Sequence, residues 1–199
     1  MSIMSVIKEN RVFVAGILLP FLLIALLALA KNIPPIDPPK HAVVFWTKGW
    51  SDRGELRTTV TNDQHIQLTY TKMKNPNAVP GYIGTPVTAS FYVFTPSTGI
   101  TKEIPVKITP EDEKEESKTI DVPELANLTV SKDMPSDDGY TFESYTYNRN
   151  SLITEIFSNS SSSGPSLTKM GRPVRITAPN GYFNGTPEFV GWVLSGDIK

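Results

Sequence analysis

The chain of 199 residues contains no cysteine, only two histidines, and almost no net charge, with 19 basic residues against 20 acidic ones. The absence of cysteine excludes a disulfide framework, a thiolate nucleophile and a thiolate metal site, so the core alone must stabilise the fold. His41 and His65 stand in no HExxH or paired spacing, which excludes a His-rich metal centre of the usual kind. A net charge of −1 lacks the basic footprint of a nucleic-acid binder. There is no Gly-x-Ser-x-Gly, and neither common Gly-rich phosphate loop is present. No catalytic residue, metal or cofactor is therefore assigned.

Long hydrophobic runs are also scarce, with one exception. Val12 to Ala30, VFVAGILLPFLLIALLALA, is a stretch of 19 residues without a charge. As a helix rising about 1.5 Å per residue it spans ~28 Å, close to the ~30 Å hydrocarbon layer of a bilayer. Pro20 near its middle is tolerated in membrane helices, while Gly16 and Ala15 are small enough for close helix contact. The expectation is a transmembrane anchor marked by Val12, Gly16, Pro20 and Ala30. The alternative is a cleavable signal, because Ala28-Leu29-Ala30 supplies small residues where a signal peptidase cuts. The length of the apolar core favours retention.

Lys8 and Arg11 before the run are balanced by Lys31 and Lys40 after it, so the charge rule for orientation is near a tie. Size breaks the tie, since the N-terminal residues are too few to fold. The reading is residues 1–11 inside, 12–30 in the membrane, a Pro-rich spacer over 31–40, and an extracytoplasmic domain over 41–199. Four prolines within Asn32–Lys40 forbid a helix and favour extended polyproline II. A cysteine-free exported domain leans toward a bacterial envelope, giving an inner-membrane protein with a periplasmic domain.

From Ala42 onward, runs rich in Val, Ile, Thr, Tyr and Phe end at Gly, Pro, Asn or Asp, as strands do. His65 to Thr71 alternates apolar and polar residues with the period of a half-buried strand. Val87 to Thr95 is apolar on both faces and is expected to be central. Ile100 to Ile108 follows a Pro96–Gly99 turn to complete a hairpin, and Pro105, lacking a backbone donor, places that second strand at a sheet edge open to a partner. Glu111 to Ser117 reads as one helical turn or an exposed loop. Thr119–Val122, Leu125–Val130, Tyr140–Tyr147, Ser151–Phe157, Val174–Thr177 and Phe189–Ser195 offer further strands, and Ser158–Pro173 reads as a long polar loop. The sum is an all-β fold of eight to ten strands, an antiparallel β-sandwich or barrel-like domain preceded by one N-terminal transmembrane helix.

The chemistry-bearing candidates are few. Asp133, Asp137 and Asp138 put three carboxylates in one loop, but their spacing departs from the EF-hand pattern and turn chemistry accounts for Asp-Asp-Gly. Aromatic faces stack on sugars or grip proteins. Trp46 and Trp192 fall in expected strands and belong to the core, whereas Trp50 in the Gly49–Gly54 turn and Tyr182 near the end are candidate contact residues, with Pro105 on the edge strand. The function expected is a non-catalytic accessory or scaffold subunit, partnered by the lipid bilayer and by other integral membrane or envelope subunits, with no nucleic acid. The alternative is a ligand-binding module for glycan or peptide, and behind it a carboxylate-dependent envelope hydrolase.

Overall fold

A computed structural model of the chain describes residues 11–32, 37–73, 85–144 and 164–196. The helix and the β domain form separate compact units.

Helix α1 runs Arg11–Asn32, 22 residues with Pro20 inside. At 1.5 Å per residue that is about 33 Å. Its apolar residues are exposed around the axis, among them Ile17, Leu19, Phe21, Leu23 and Leu26, and a Cβ at Gly16 would meet nothing within 4 Å. Among the described residues, no helix is long and apolar enough to cross a membrane. The structure therefore does not support the anchor expected at Val12–Ala30, which rests on the sequence alone.

The β domain contains eleven strands among the described residues: β1 Val43–Lys48, β2 Gly54–Val60, β3 Ile66–Lys72, β4 Ala89–Thr95, β5 Ile100–Val106, β6 Ser117–Ile120, β7 Thr129–Ser131, β8 Thr141–Glu143, β9 Ser166–Lys169, β10 Arg172–Arg175 and β11 Glu188–Ser195. All strand pairs are antiparallel and form three sheets, ordered β5-β4-β1-β11-β7, β2-β3-β6 and β10-β9-β8. The five-stranded sheet is the middle layer. Successive side chains of a strand point to opposite faces, and here both faces are covered. Val44, Trp46, Phe91, Val93 and Ile104 pack on Leu56, Leu68, Tyr70 and Ile120 of the β2-β3-β6 sheet. Val43, Phe45, Tyr92, Phe94 and Trp192 pack on Phe142 and Leu167 of the other small sheet. The domain is a β-sandwich of three layers, which explains why β1 and β4 are apolar almost throughout.

Several expected elements are present with shifted ends. β3 buries Leu68 and Tyr70 while Gln67 and Thr71 face out. β4 is interior, and β5 with the exposed Pro105 is the outer strand of the middle sheet. The charge-dense segment is a single 3-10 turn, Asp112–Lys114. Three expectations need correction. The polar loop read over 158–173 contains β9, held by the fully buried Leu167 between two neighbours. Leu125–Val130 is not one strand, because the Leu125 and Leu128 amides donate to the Val122 and Leu125 carbonyls in successive turns before β7 begins. The eight to ten strands expected become eleven among the described residues, one of them β2, which starts at Gly54 and was hidden by its charged residues. Ser151–Phe157 and the end of Tyr140–Tyr147 lie outside the described residues.

Close approach makes Gly191 irreplaceable where β11 crosses from β1 to β7. A Cβ there would lie 2.9 Å from both the Ser131 carbonyl oxygen and the Val130 Cβ. The register between β1 and β11 shifts at this place, from Val44 opposite Gly191 to Phe45 opposite Phe189, so the bulge and the glycine occur together.

The 3-10 turn carries the clearest electrostatic term. Asp112 Oδ2 accepts from the Thr109 amide at 2.9 Å and its hydroxyl at 2.7 Å, and Oδ1 lies 3.0 Å from Lys118 Nζ. The Thr109 backbone and side-chain bonds, with Lys118, hold the Asp112 carboxyl down at about 2. A depressed folded value stabilises the fold at pH above the unfolded carboxyl value and is lost as pH falls through the folded one. We expect the stability gap between wild type and Asp112→Asn, measured by denaturant unfolding, to be constant at neutral pH and to shrink from pH 3.8 to about 2. A gap that does not change over that interval would show that Asp112 contributes nothing through its charge.

Candidate functional site

Of the candidate contact residues, Trp50 and Pro105 lie toward one end of the middle sheet, whereas Tyr182 lies beside the Phe45–Tyr92 rung in its middle. Thr47 of β1, Ser90 of β4 and Pro105 of β5 form one rung of the ladder. Trp50 follows Thr47 by three residues, in a turn fixed by the Gly49 amide on the Thr88 carbonyl and by the Ser51 hydroxyl on the Thr85 carbonyl. Tyr182 precedes β11, whose first residue, Glu188, pairs with Trp46. There Phe183 inserts against Phe45 and Tyr92, with ring centroids 5.5 and 5.0 Å away, which leaves the adjacent Tyr182 pointing out. Trp50 and Tyr182 are 75% and 73% exposed. Trp46 and Trp192, by contrast, are core residues. The Trp46 indole N–H donates to Glu188 Oε2 at 3.1 Å, and the ammonium of Lys48 sits 5.2 Å from the Trp46 ring centre.

The opposite end of the sheet receives the chain from the Pro-rich segment. Four contacts tie residues 37–41 to the domain. The buried Tyr140 donates its hydroxyl to the Asp37 carbonyl at 2.6 Å, and Lys169 Nζ lies 3.4 Å from the Asp37 carboxylate. The Lys40 amide donates to Asp138 Oδ2 at 2.8 Å, and His41 Nε2 sits 2.6 Å from Asp137 Oδ1. Burial of Asp138 opposes its charge, but the Ser136 hydroxyl, the Lys40 amide and His41 outweigh it and hold the carboxyl below its ordinary value. For Tyr140, burial and then the Asp138 and Asp37 charges push the phenol up.

One potential ligand atom from each of His41, Asp137 and Asp138 lies within 4.8 Å of the others. One imidazole and two carboxylates make a donor set that suits zinc or manganese. The donors, however, already have partners in His41–Asp137 and in Asp138 with Ser136 and Lys40, and Asp137 is 78% exposed. Asp133 is not part of this group; its carboxylate accepts from the Ser131 hydroxyl at 2.9 Å. Of the three aspartates joined by the sequence, the structure thus keeps two together and adds His41, which no local pattern announces. Beside them opens a cavity of about 280 Å³, lined by His41, Asp133, Asp137, Trp192 and Leu194 with the nearby loop serines and Pro135.

No protein-family model matches the chain, and comparison with curated proteins and with solved structures finds no match.

Proposed function

We propose that the chain is a single-pass membrane protein whose β domain acts as a non-catalytic accessory or scaffold subunit of a larger envelope complex. In this reading α1 lies in the bacterial inner membrane with the N-terminus inside and the β domain in the periplasm. The anchor is supported by the uncharged sequence Val12–Ala30, whose apolar residues show no helical periodicity, the pattern of a span rather than of an amphipathic surface helix. The observation that carries the subunit role is the exposure of Trp50 and Tyr182 on a domain whose middle sheet has β5, with the exposed Pro105, as its outer strand. Large exposed aromatics are the residues most often found at the energetic centre of protein interfaces, and an unpaired edge accepts a partner strand.

The test is the mass of the particle carrying this chain after extraction from native membranes in mild detergent. A large particle containing the intact 22.0 kDa chain is the expected result. A lone chain shorter by about 3 kDa, the mass of some thirty residues, would mean cleavage of a signal and would overturn both anchor and subunit role. A second reading, a binding module for glycan or peptide, is favoured by the exposure of Trp50 and would keep its ligand after the anchor is removed.

A further inference from the structure

The cavity at the chain-entry end combines features that suit one kind of occupant. Its apolar lining comes from Leu194, 49% exposed at the end of β11, beside the edge of the nearly buried Trp192. Its rim carries the carboxylates of Asp133 and Asp137, with Asp138 next to them. The loop bearing these acids is fixed from below, because the Trp192 indole N–H donates to the Asp133 carbonyl at 2.9 Å. At about 280 Å³ the space falls short of the ~300–1,000 Å³ that small-molecule ligands occupy. It fits a single long side chain.

We propose that this cavity receives an arginine side chain from a partner protein. The inference deepens the subunit reading and rests on it for the source of that arginine. Arginine lays an apolar stem on hydrophobic surface while its charged head stays at the wet rim. Its planar fork also matches carboxylate geometry, two N–H groups to two oxygens. Each carboxylate has about four lone-pair sites. His41 faces Asp137 and the Ser131 hydroxyl faces Asp133, which leaves acceptor capacity on both acids for a guanidinium above Leu194. Charge complementarity thus selects a cation, and the apolar lining selects one with a hydrocarbon stem over a bare metal ion.

The full chain in detergent micelles, with its tryptophans labelled with nitrogen-15, is titrated with N-acetyl-arginine amide, and the three indole N–H resonances are followed. The Trp192 resonance is expected to shift saturably, with a dissociation constant on the order of millimolar for so small a probe, while Trp46 stays unmoved. Asp133→Asn with Asp137→Asn should weaken binding by about tenfold, as loss of charge-assisted partners does; an unmoved Trp46 resonance shows that this variant is folded. Asp63→Asn should change nothing. An equal response to N-acetyl-glutamine amide, no saturable response, or saturation by zinc chloride without a response to the arginine probe would overturn the proposal. Because the readout uses the isolated chain, it is independent of particle mass: arginine binding by a chain found alone would sink the subunit reading and leave the cavity's specificity intact.

Discussion

Phe45→Ala is expected to lower the unfolding free energy by about 3–5 kcal/mol, the range for a fully buried phenylalanine. Phe45 has no exposed surface and lies on the middle strand β1 of the five-stranded sheet. Its ring stacks on Tyr92 at 5.3 Å, meets Phe142 of the outer sheet at 5.3 Å, and receives the edge of Phe183 at 5.5 Å. Truncation therefore opens a cavity where two layers and the Tyr182 loop meet. Neighbours on a middle strand, held from both faces, have little freedom to collapse into it. Urea unfolding followed by far-UV circular dichroism measures the loss, and a change below about 0.5 kcal/mol, the level of ordinary surface substitutions, would contradict the three-layer packing. Ile100→Ala, which removes a side chain 63% exposed at the β5 turn, is the matched control.

The second large effect concerns α1. With Leu22→Arg and Leu26→Arg, near the middle of the uncharged run, each arginine adds about 2.5–3.5 kcal/mol to the apparent cost of membrane insertion. The double variant is expected to leave the carbonate-resistant membrane fraction while the wild-type chain stays in it. Recovery of both chains in the same soluble fraction would remove the anchor from the proposed function. The β domain should unfold at the same denaturant concentration in both, because the substituted residues belong to a separate compact unit.

Much of the domain was legible wherever one physical rule acted alone. Alternation in β3 marked a strand with one dry face, and the doubly apolar β4 marked an interior one. Pro105 placed β5 at an edge because a missing N–H cannot serve a ladder on both sides. β9 was not legible: Ser-Leu-Thr-Lys offers one apolar residue among polar ones, and only the outer layer closing over Leu167 turns it into a strand. β2 was obscured in the same way by Glu55 and Arg57, which pair with each other at 3.3 Å on its outward face. Two-faced burial of β1 and β4 says that two layers cover them but not which ones, so the third layer came from tertiary structure. The entry-end cluster was half legible. Asp137 and Asp138 sit together in one turn, but His41 reaches them across ninety-six positions of sequence, a distance over which no spacing rule operates.

The order of the middle sheet has a consequence in time. Among the described strands β1 comes first in the chain, and it lies between β4 and β11, which comes last of them. Its Val43-Val44-Phe45-Trp46 segment therefore gains one neighbour once β4 emerges and must wait for residues near the C-terminus before the other side closes. Contacts so distant in sequence form slowly, since a long loop has to be closed first. A chain tethered at its N-terminus and delivered gradually would hold its stickiest strand half-paired throughout delivery. Truncation at residue 187, which removes β11 and whatever follows it, should consequently yield an aggregating chain rather than a smaller folded one.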